Sequence, residues 1–230
     1  MGLPIWRILF RGCPILTEKA KSPAKMEKHA ETQIPIHDVI RRRWSPRAFS
    51  ERPVEPDNLR SVLEAARWAP SSRNEQPWAY LVETRDDPEG YEALLGVLMD
   101  ANRAWAGKAP VLILAMAHTR LEKDGQPNRH SFYDLGQATA NLIFQATALG
   151  LATHQMGGFH VGAARERFGI PDGWEPVSVI ALGYPGDAES LPEPLRGRET
   201  AQRSRKPLEE FVFSRAWGHP APIVDPSGKK

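Results

Sequence analysis

One cysteine, Cys13, stands in 230 residues. That excludes an intramolecular disulfide framework and a cysteine-based zinc site, and it fits a reducing compartment. No run approaches the ~20 apolar residues that a membrane-spanning helix needs. Arg7 and Arg11 interrupt the apolar patches of "GLPIWRILFRGCPIL", which disqualifies that segment as a secretory h-region. A basic transit peptide or an interfacial anchor stays open for it. The simpler expectation is a disordered extension upstream of a start at Met26.

The usual catalytic signatures are missing too. There is no G-x-G-x-x-G after a strand, no G-x-x-x-x-G-K-[ST] and no G-x-S-x-G elbow, so neither a standard dinucleotide fold, a P-loop nor a nucleophile elbow is supported. Ser71 and Ser72 lie in "APSSRNEQP", which is turn chemistry rather than nucleophile chemistry. The seven histidines include no i, i+4 pair with a glutamate between, so metal catalysis is unsupported and no histidine is assigned a role. An excess of one charge sign is missing as well: the net charge is +2. It is uneven, with ten Lys/Arg against four Asp/Glu in residues 1–50. A nucleic-acid binder spreads its basic face over a whole domain, so no nucleic-acid or membrane partner is expected.

What is present reads as one domain of about 180 residues with extensions: 1–33 an N-terminal extension, 34–214 the domain, 215–230 a tail. "PIHDVIRRR" aligns Ile36, Val39, Ile40 and Arg43 as a short helix stopped by "SP". "PDNLRSVLEAARWAP" is a helix with Asp57 at the N-cap and Pro70 beyond its end. "WAYLVET" is a strand, and "GYEALLGVLMDANRAWA" reads as one amphipathic helix. "PVLILAMA" is apolar throughout and so buried on both faces of a sheet. Residues 118–130 read as a surface loop. "SFYDLGQATANLIFQATALG" reads as a helix apolar nearly all round, buried at the centre and closed by Gly150. A short strand "LATHQM", a helix "VGAARERFG", a strand "EPVSVIALG" and an irregular "LPEPLRGRETAQRSRKP" follow. The tail from Gly218 is expected to be disordered. Helices outnumber strands without βαβ alternation, which makes the class α+β.

Three polar clusters carry the chemistry. In "RRRWSPRAF", Arg43, Ser45 and Arg47 offer two guanidiniums and a hydroxyl, the donor set of a terminal phosphate, with Pro46 stiffening the backbone. In "RSRK", Arg203 and Arg205 point the same way in an extended segment. Each basic cluster alone is more often a solvated face. The third, "SSRNEQPW", adds Ser71, Ser72, Asn74 and Gln76, whose amides and hydroxyls can read a heteroaromatic ring or a sugar alcohol.

Together the clusters resemble the FMN-dependent nitroreductase family over roughly residues 34–214. "RRWSPRAFSERPV" is similar to that family's opening phosphate motif and "APSSRNEQPWAY" to its proline-serine-serine segment. "ANRAWAGKAPVLI" resembles the helix and strand that carry an asparagine to the flavin. "ALGLATHQMGGF" resembles the stretch beside the isoalloxazine, and "RSRKPLEEFV" the phosphate arm. The resemblance implies a nitroreductase-like α/β/α sandwich with a central, mainly antiparallel sheet, as a domain-swapped homodimer with FMN at the interface. Arg43, Trp44 (through its backbone), Ser45 and Arg47 would hold the phosphate and ribityl chain, with Arg203 and Arg205 closing over the phosphate. Ser71, Ser72 and Asn74 would come from the other subunit. Asn102 would face the pyrimidine edge, with Met156, Gly157 and Gly158 passing the ring. "PLEEFVF" would add a strand to the partner's sheet.

The implied activity is cytoplasmic, ping-pong hydride transfer from NADH or NADPH through flavin N5 to a nitroaromatic, quinone or activated alkene, with no catalytic side chain. Other chemistries of the fold are a reductive dehalogenase, an azoline dehydrogenase and a flavin-fragmenting cobamide-ligand synthase. A basic polyanion-binding protein using residues 1–50 is the non-enzymatic alternative. Many relatives place an extra helix over the cleft; here only "HTRLEKDGQPNRHSFY" occupies that place.

Overall fold

A computed structural model describes residues 28–224; the expectations for residues 1–27, Cys13 and Met26 among them, and for 225–230 lie outside the described residues. Among the described residues four strands form one antiparallel sheet in the order β1-β2-β4-β3. These are β1 (Trp78–Thr84), β2 (Val111–His118), β3 (Ala152–Met156) and β4 (Trp174–Gly183). Alternation along β2 builds two cores. Leu112, Leu114 and Met116 enter the core with Phe49, Leu94, Trp105 and Met156. Val111, Ile113, Ala115 and Ala117 enter the other, with Val62, Leu135, Leu142 and Ile180. This is why "PVLILAMA" carries no polar residue, and the α+β, three-layer expectation holds.

The second core is covered by α2 (Pro56–Arg67) and α5 (Ser131–Ala148). Proline at the first turn of α2 costs no hydrogen bond, since that N–H is unpaired anyway; the N-cap is Glu55, not Asp57. Gly150 closes α5 at φ 76°. Leu151 N–H reaches Ala146 O at 2.9 Å and Gly150 N–H reaches Thr147 O at 3.1 Å, which is a Schellman closure. Burial of α5 is one-sided within the chain. Asp134, Leu135, Ala138, Leu142 and Ala146 are buried, whereas Phe132 and Tyr133 are exposed.

The single helix expected over residues 90–106 is two, α3 (Pro88–Gly96) and α4 (Asp100–Ala106). Between them the backbone leaves the helix to pair elsewhere. Met99 N–H donates to Gly158 O at 3.1 Å, and His160 N–H to Val97 O at 2.8 Å. The first core is completed by α6 (Val161–Phe168) and by the loop after α1 (Asp38–Arg42). The irregular connection contains a six-residue helix, α7 (Leu195–Thr200), whose Glu199 is buried. Two segments expected to lie outside the domain pack onto it. Lys28 Nζ donates to Glu199 O at 2.7 Å, and Ala221 is buried beside a Phe213–Pro220 bridge. The segment after Pro207 makes a 3-10 turn at Leu208–Glu210 and joins no strand of this chain's own sheet.

Candidate flavin site

Helix α1 ends at Arg43, whose backbone turns to extended geometry at ψ 125°. The following loop then runs beside β3. Arg43 Nη1 donates to Ser45 Oγ at 3.0 Å. Burial holds Arg43 below the usual arginine range, and the charges of Arg203 and Arg205 push the same way. Arg203 is likewise lowered by burial and by Arg205. Arginine cannot shed its proton in a protein, so three cations are held together, the arrangement a phosphate dianion would relieve. The arm carrying them is tied down: Arg203 Nη1 donates to Lys28 O at 2.7 Å and Arg41 O at 3.2 Å. Arg205 is exposed and donates to Ser204 O at 2.7 Å. Trp44 lines a cavity of about 100 Å³ with Lys28, Arg43, Thr147 and Gly150, under the Lys28 ammonium 4.9 Å from its ring. Arg47 lies over Trp105, 5.9 Å from the ring centroid.

The backbone of this loop is held from behind. Glu199 accepts from Arg47 N–H at 2.9 and 3.0 Å and from Ala48 N–H at 3.0 Å. His154 Nδ1 lies 2.9 Å from Pro46 O, and its ring meets Trp105 at 4.5 Å between centroids. Burial pushes the His154 pKa down to about 4; the Pro46 carbonyl opposes this and the Arg47 charge adds to it. Gly186 allows the close approach: a Cβ there would lie 2.6 Å from the Phe49 carbonyl carbon.

Past His154, Met156 is buried at the end of β3 and the chain turns at Gly157 and Gly158. Asn102 Nδ2 donates to Gly158 O at 3.0 Å. A Cβ on Gly157 would meet nothing within 4 Å, so its backbone is open to a ligand. Within β3, His154 and Met156 are about 7 Å apart at ~3.3 Å per residue, and the glycine turn follows at the strand's end. One edge of the molecule thus carries the arginines at one end and Asn102 with the glycine turn at the other.

Ser71, Ser72 and Asn74 are elsewhere. Ser72 N–H donates to Asp134 Oδ2 at 3.0 Å, in the first turn of α5, while Arg43 and Trp44 share their cavity with Thr147 and Gly150 at its other end. Along a helix rising ~1.5 Å per residue those ends are about 20 Å apart. The loop is strained, with Arg73, Asn74 and Gln76 at φ 56°, 59° and 48°, a conformation such residues rarely adopt and one that clusters at functional sites. Ser71 Oγ accepts from Gln76 N–H at 3.0 Å. Within one chain this loop does not join the arginines.

Sequence reasoning passed over Lys28, His154 and Glu199. The one available signal was a lone acid, Glu199, inside the basic run "RGRETAQRSRK". Among the described residues no cluster of His, Cys, Asp and Glu could hold a metal, and no helix is long and apolar enough to cross a membrane.

Residues 40–184 match the model of the nitroreductase family. Over 161 residues the chain is 31% identical to a putative NADH dehydrogenase/NAD(P)H nitroreductase of Archaeoglobus fulgidus, covering 67% of this chain and 88% of that protein. It is 36% identical over 132 residues to an uncharacterized 15.4 kDa protein of Mycolicibacterium smegmatis, covering 57% and 87%. A solved structure described as an oxidoreductase containing FMN superimposes with TM-score 0.78 at 33% identity, covering 81% of this chain and 95% of that one. A nitroreductase family protein of Clostridium difficile 630 superimposes with TM-score 0.62 at 29% identity, covering 80% and 99%. Motifs, fold and relatives converge, and the chain belongs to the nitroreductase family.

Proposed function

We propose that the chain is an FMN-dependent NAD(P)H oxidoreductase of nitroaromatic, quinone or activated-alkene acceptors. The functional unit is the domain of residues 34–214 with the Lys28 and Ala221 segments that pack onto it, working as a homodimer. The observation that carries this reading is the pairing of an arginine trio, Arg43, Arg203 and Arg205, with the Asn102–Gly158 turn: β3, whose His154 bonds the arginine loop at Pro46 O, leads straight into that turn. The donor set fits FMN: guanidiniums and a serine hydroxyl suit the phosphate, and an open glycine turn suits a flat ring. Bound there, FMN supplies the redox chemistry, taking hydride from NAD(P)H and passing it to an electron-poor acceptor.

The residues bind and orient. Arg43, Ser45 and Arg47 take the phosphate and ribityl side, and Arg203 and Arg205 close over the phosphate. Asn102 fixes the Gly157–Gly158 turn through the Gly158 carbonyl, beside the buried Met156. Ser71, Ser72 and Asn74 reach the site from a second copy. Two copies packed antiparallel along α5 bring the first turn of one helix to the last turn of the other. Exposed Ile40 and Trp68 line a 500 Å³ groove with Phe144 and Ala148 of α5, an apolar surface suited to such packing.

The absorption spectrum of the purified protein tests the reading. Flavin bands are expected at one FMN per chain, bleached by NADH or NADPH under anaerobic conditions and restored by an acceptor. A colourless protein that cannot be reconstituted with FMN overturns it.

A further inference from the structure

We infer that Glu199 is a positioning residue that latches the C-terminal arginine arm to the phosphate loop, so that the phosphate end of the FMN site forms only when the arm is docked. The inference rests on the FMN reading above and assigns a task to a residue that touches no flavin.

Glu199 is 1% exposed and sits 152 residues from Arg47. A buried carboxylate is costly unless its oxygens are bonded. Here the bonds come from two successive backbone amides, Arg47 and Ala48, at 2.9–3.0 Å. Charge is compensated nearby: Lys28 feels the attraction of Glu199 and the repulsion of Arg203 and Arg47. Lys28 itself donates to the Glu199 carbonyl at 2.7 Å, and Arg203 donates to the Lys28 carbonyl at 2.7 Å. The links therefore run from the phosphate loop through Glu199 and Lys28 to Arg203.

Two consequences follow for the site. Arg203 and Arg205 follow Glu199 within six residues, so docking Glu199 brings both guanidiniums to Arg43 against their mutual repulsion. The same carboxylate orients residues 47–48 from the rear, leaving the loop's side chains to the ligand. His154 assists by holding the Pro46 carbonyl at 2.9 Å. Residues 46, 47 and 48 are thereby fixed by side chains from two remote segments.

The full-length protein is stripped of flavin, and the affinities of FMN and of riboflavin, which lacks the phosphate, are measured by fluorescence quenching. Glu199→Gln keeps the volume but places an amide NH₂ against a backbone N–H. Its FMN dissociation constant is expected to rise about tenfold, the loss of one charge-assisted hydrogen bond, with riboflavin unchanged. Should that variant be insoluble, Glu199→Asp, which keeps the charge but shortens the reach, must lower the FMN-to-riboflavin preference as well. Equal loss of both ligands, or loss of neither, overturns the latch while leaving the FMN reading intact. Failure of the wild-type protein to bind FMN overturns both.

Discussion

Asn102 donates to the carbonyl of Gly158 at 3.0 Å, and a Cβ on Gly158 would fall 2.7 Å from that same Nδ2. The turn is therefore glycine because the asparagine occupies the space a side chain would take. Gly158→Ala is expected to displace Asn102 and weaken FMN and riboflavin alike, by roughly 1–2 kcal/mol for one lost hydrogen bond. Titration of both flavins checks this, and a selective loss of FMN would relocate the ring end of the site.

The arginines of "RRRWSPRAF" divide by their partners. Arg41 and Arg42 bond Asp38 at 2.8 and 2.6 Å near the surface, whereas Arg43 faces Arg203 and Arg205. Arg43→Ala or Arg205→Ala is expected to weaken FMN retention by roughly 1.5–3 kcal/mol and to leave riboflavin unaffected. Arg42→Ala is expected to change either by less than ~1 kcal/mol. Equilibrium dialysis against each flavin measures the contrast.

Acid should loosen the loop through His154. Its folded pKa is about 4 against an ordinary 6.5, so between those values the unfolded chain takes up a proton that the folded chain refuses. Stability contributed by the neutral ring is complete above about pH 6.5 and is lost as pH falls toward about 4, by up to roughly 3 kcal/mol. Denaturant midpoints of wild type and His154→Gln at about pH 7.5 and about pH 5 isolate the contribution. The wild type must lose more on acidification than the variant.

In the proposed site, the distance between the Ser71–Asn74 loop and the arginines calls for a second copy. Ile40→Asp combined with Trp68→Glu puts charge into the groove beside α5. Size-exclusion chromatography is expected to show dimer for the wild type and monomer for the variant, with flavin lost in parallel. A flavin-loaded monomer would return the whole site to one chain.

Local pattern carried much of this. Alternation in a wholly apolar run placed β2 between two cores, and glycine at position 150 marked the end of α5, because both are decided by a residue and its near neighbours. The arginines and Ser45 could be named as candidates because each basic cluster is contiguous in the chain, whereas Asn102 and the glycine turn were named only through the family resemblance. Other features were not legible. Helix 90–106 broke at residues 97–99 because Gly158 and His160 offered those backbone groups better tertiary partners than the next helical turn. Helix α5, apolar on most sides, met only one layer of its own chain.

Composition and spacing determined the class of the fold, the absence of a nucleophile elbow or P-loop motif, and the donors suited to a phosphate and a ring. The tertiary structure decided which donors meet. It set Arg43 beside Arg203 and Arg205, put Glu199 behind Arg47 across 152 residues, and left Ser72 at the far end of α5. Spacing along a chain encodes helix and strand faces through periods of 3.6 and 2 residues. It encodes nothing about a carboxylate whose bonds are to backbone amides, because every residue except proline supplies that donor.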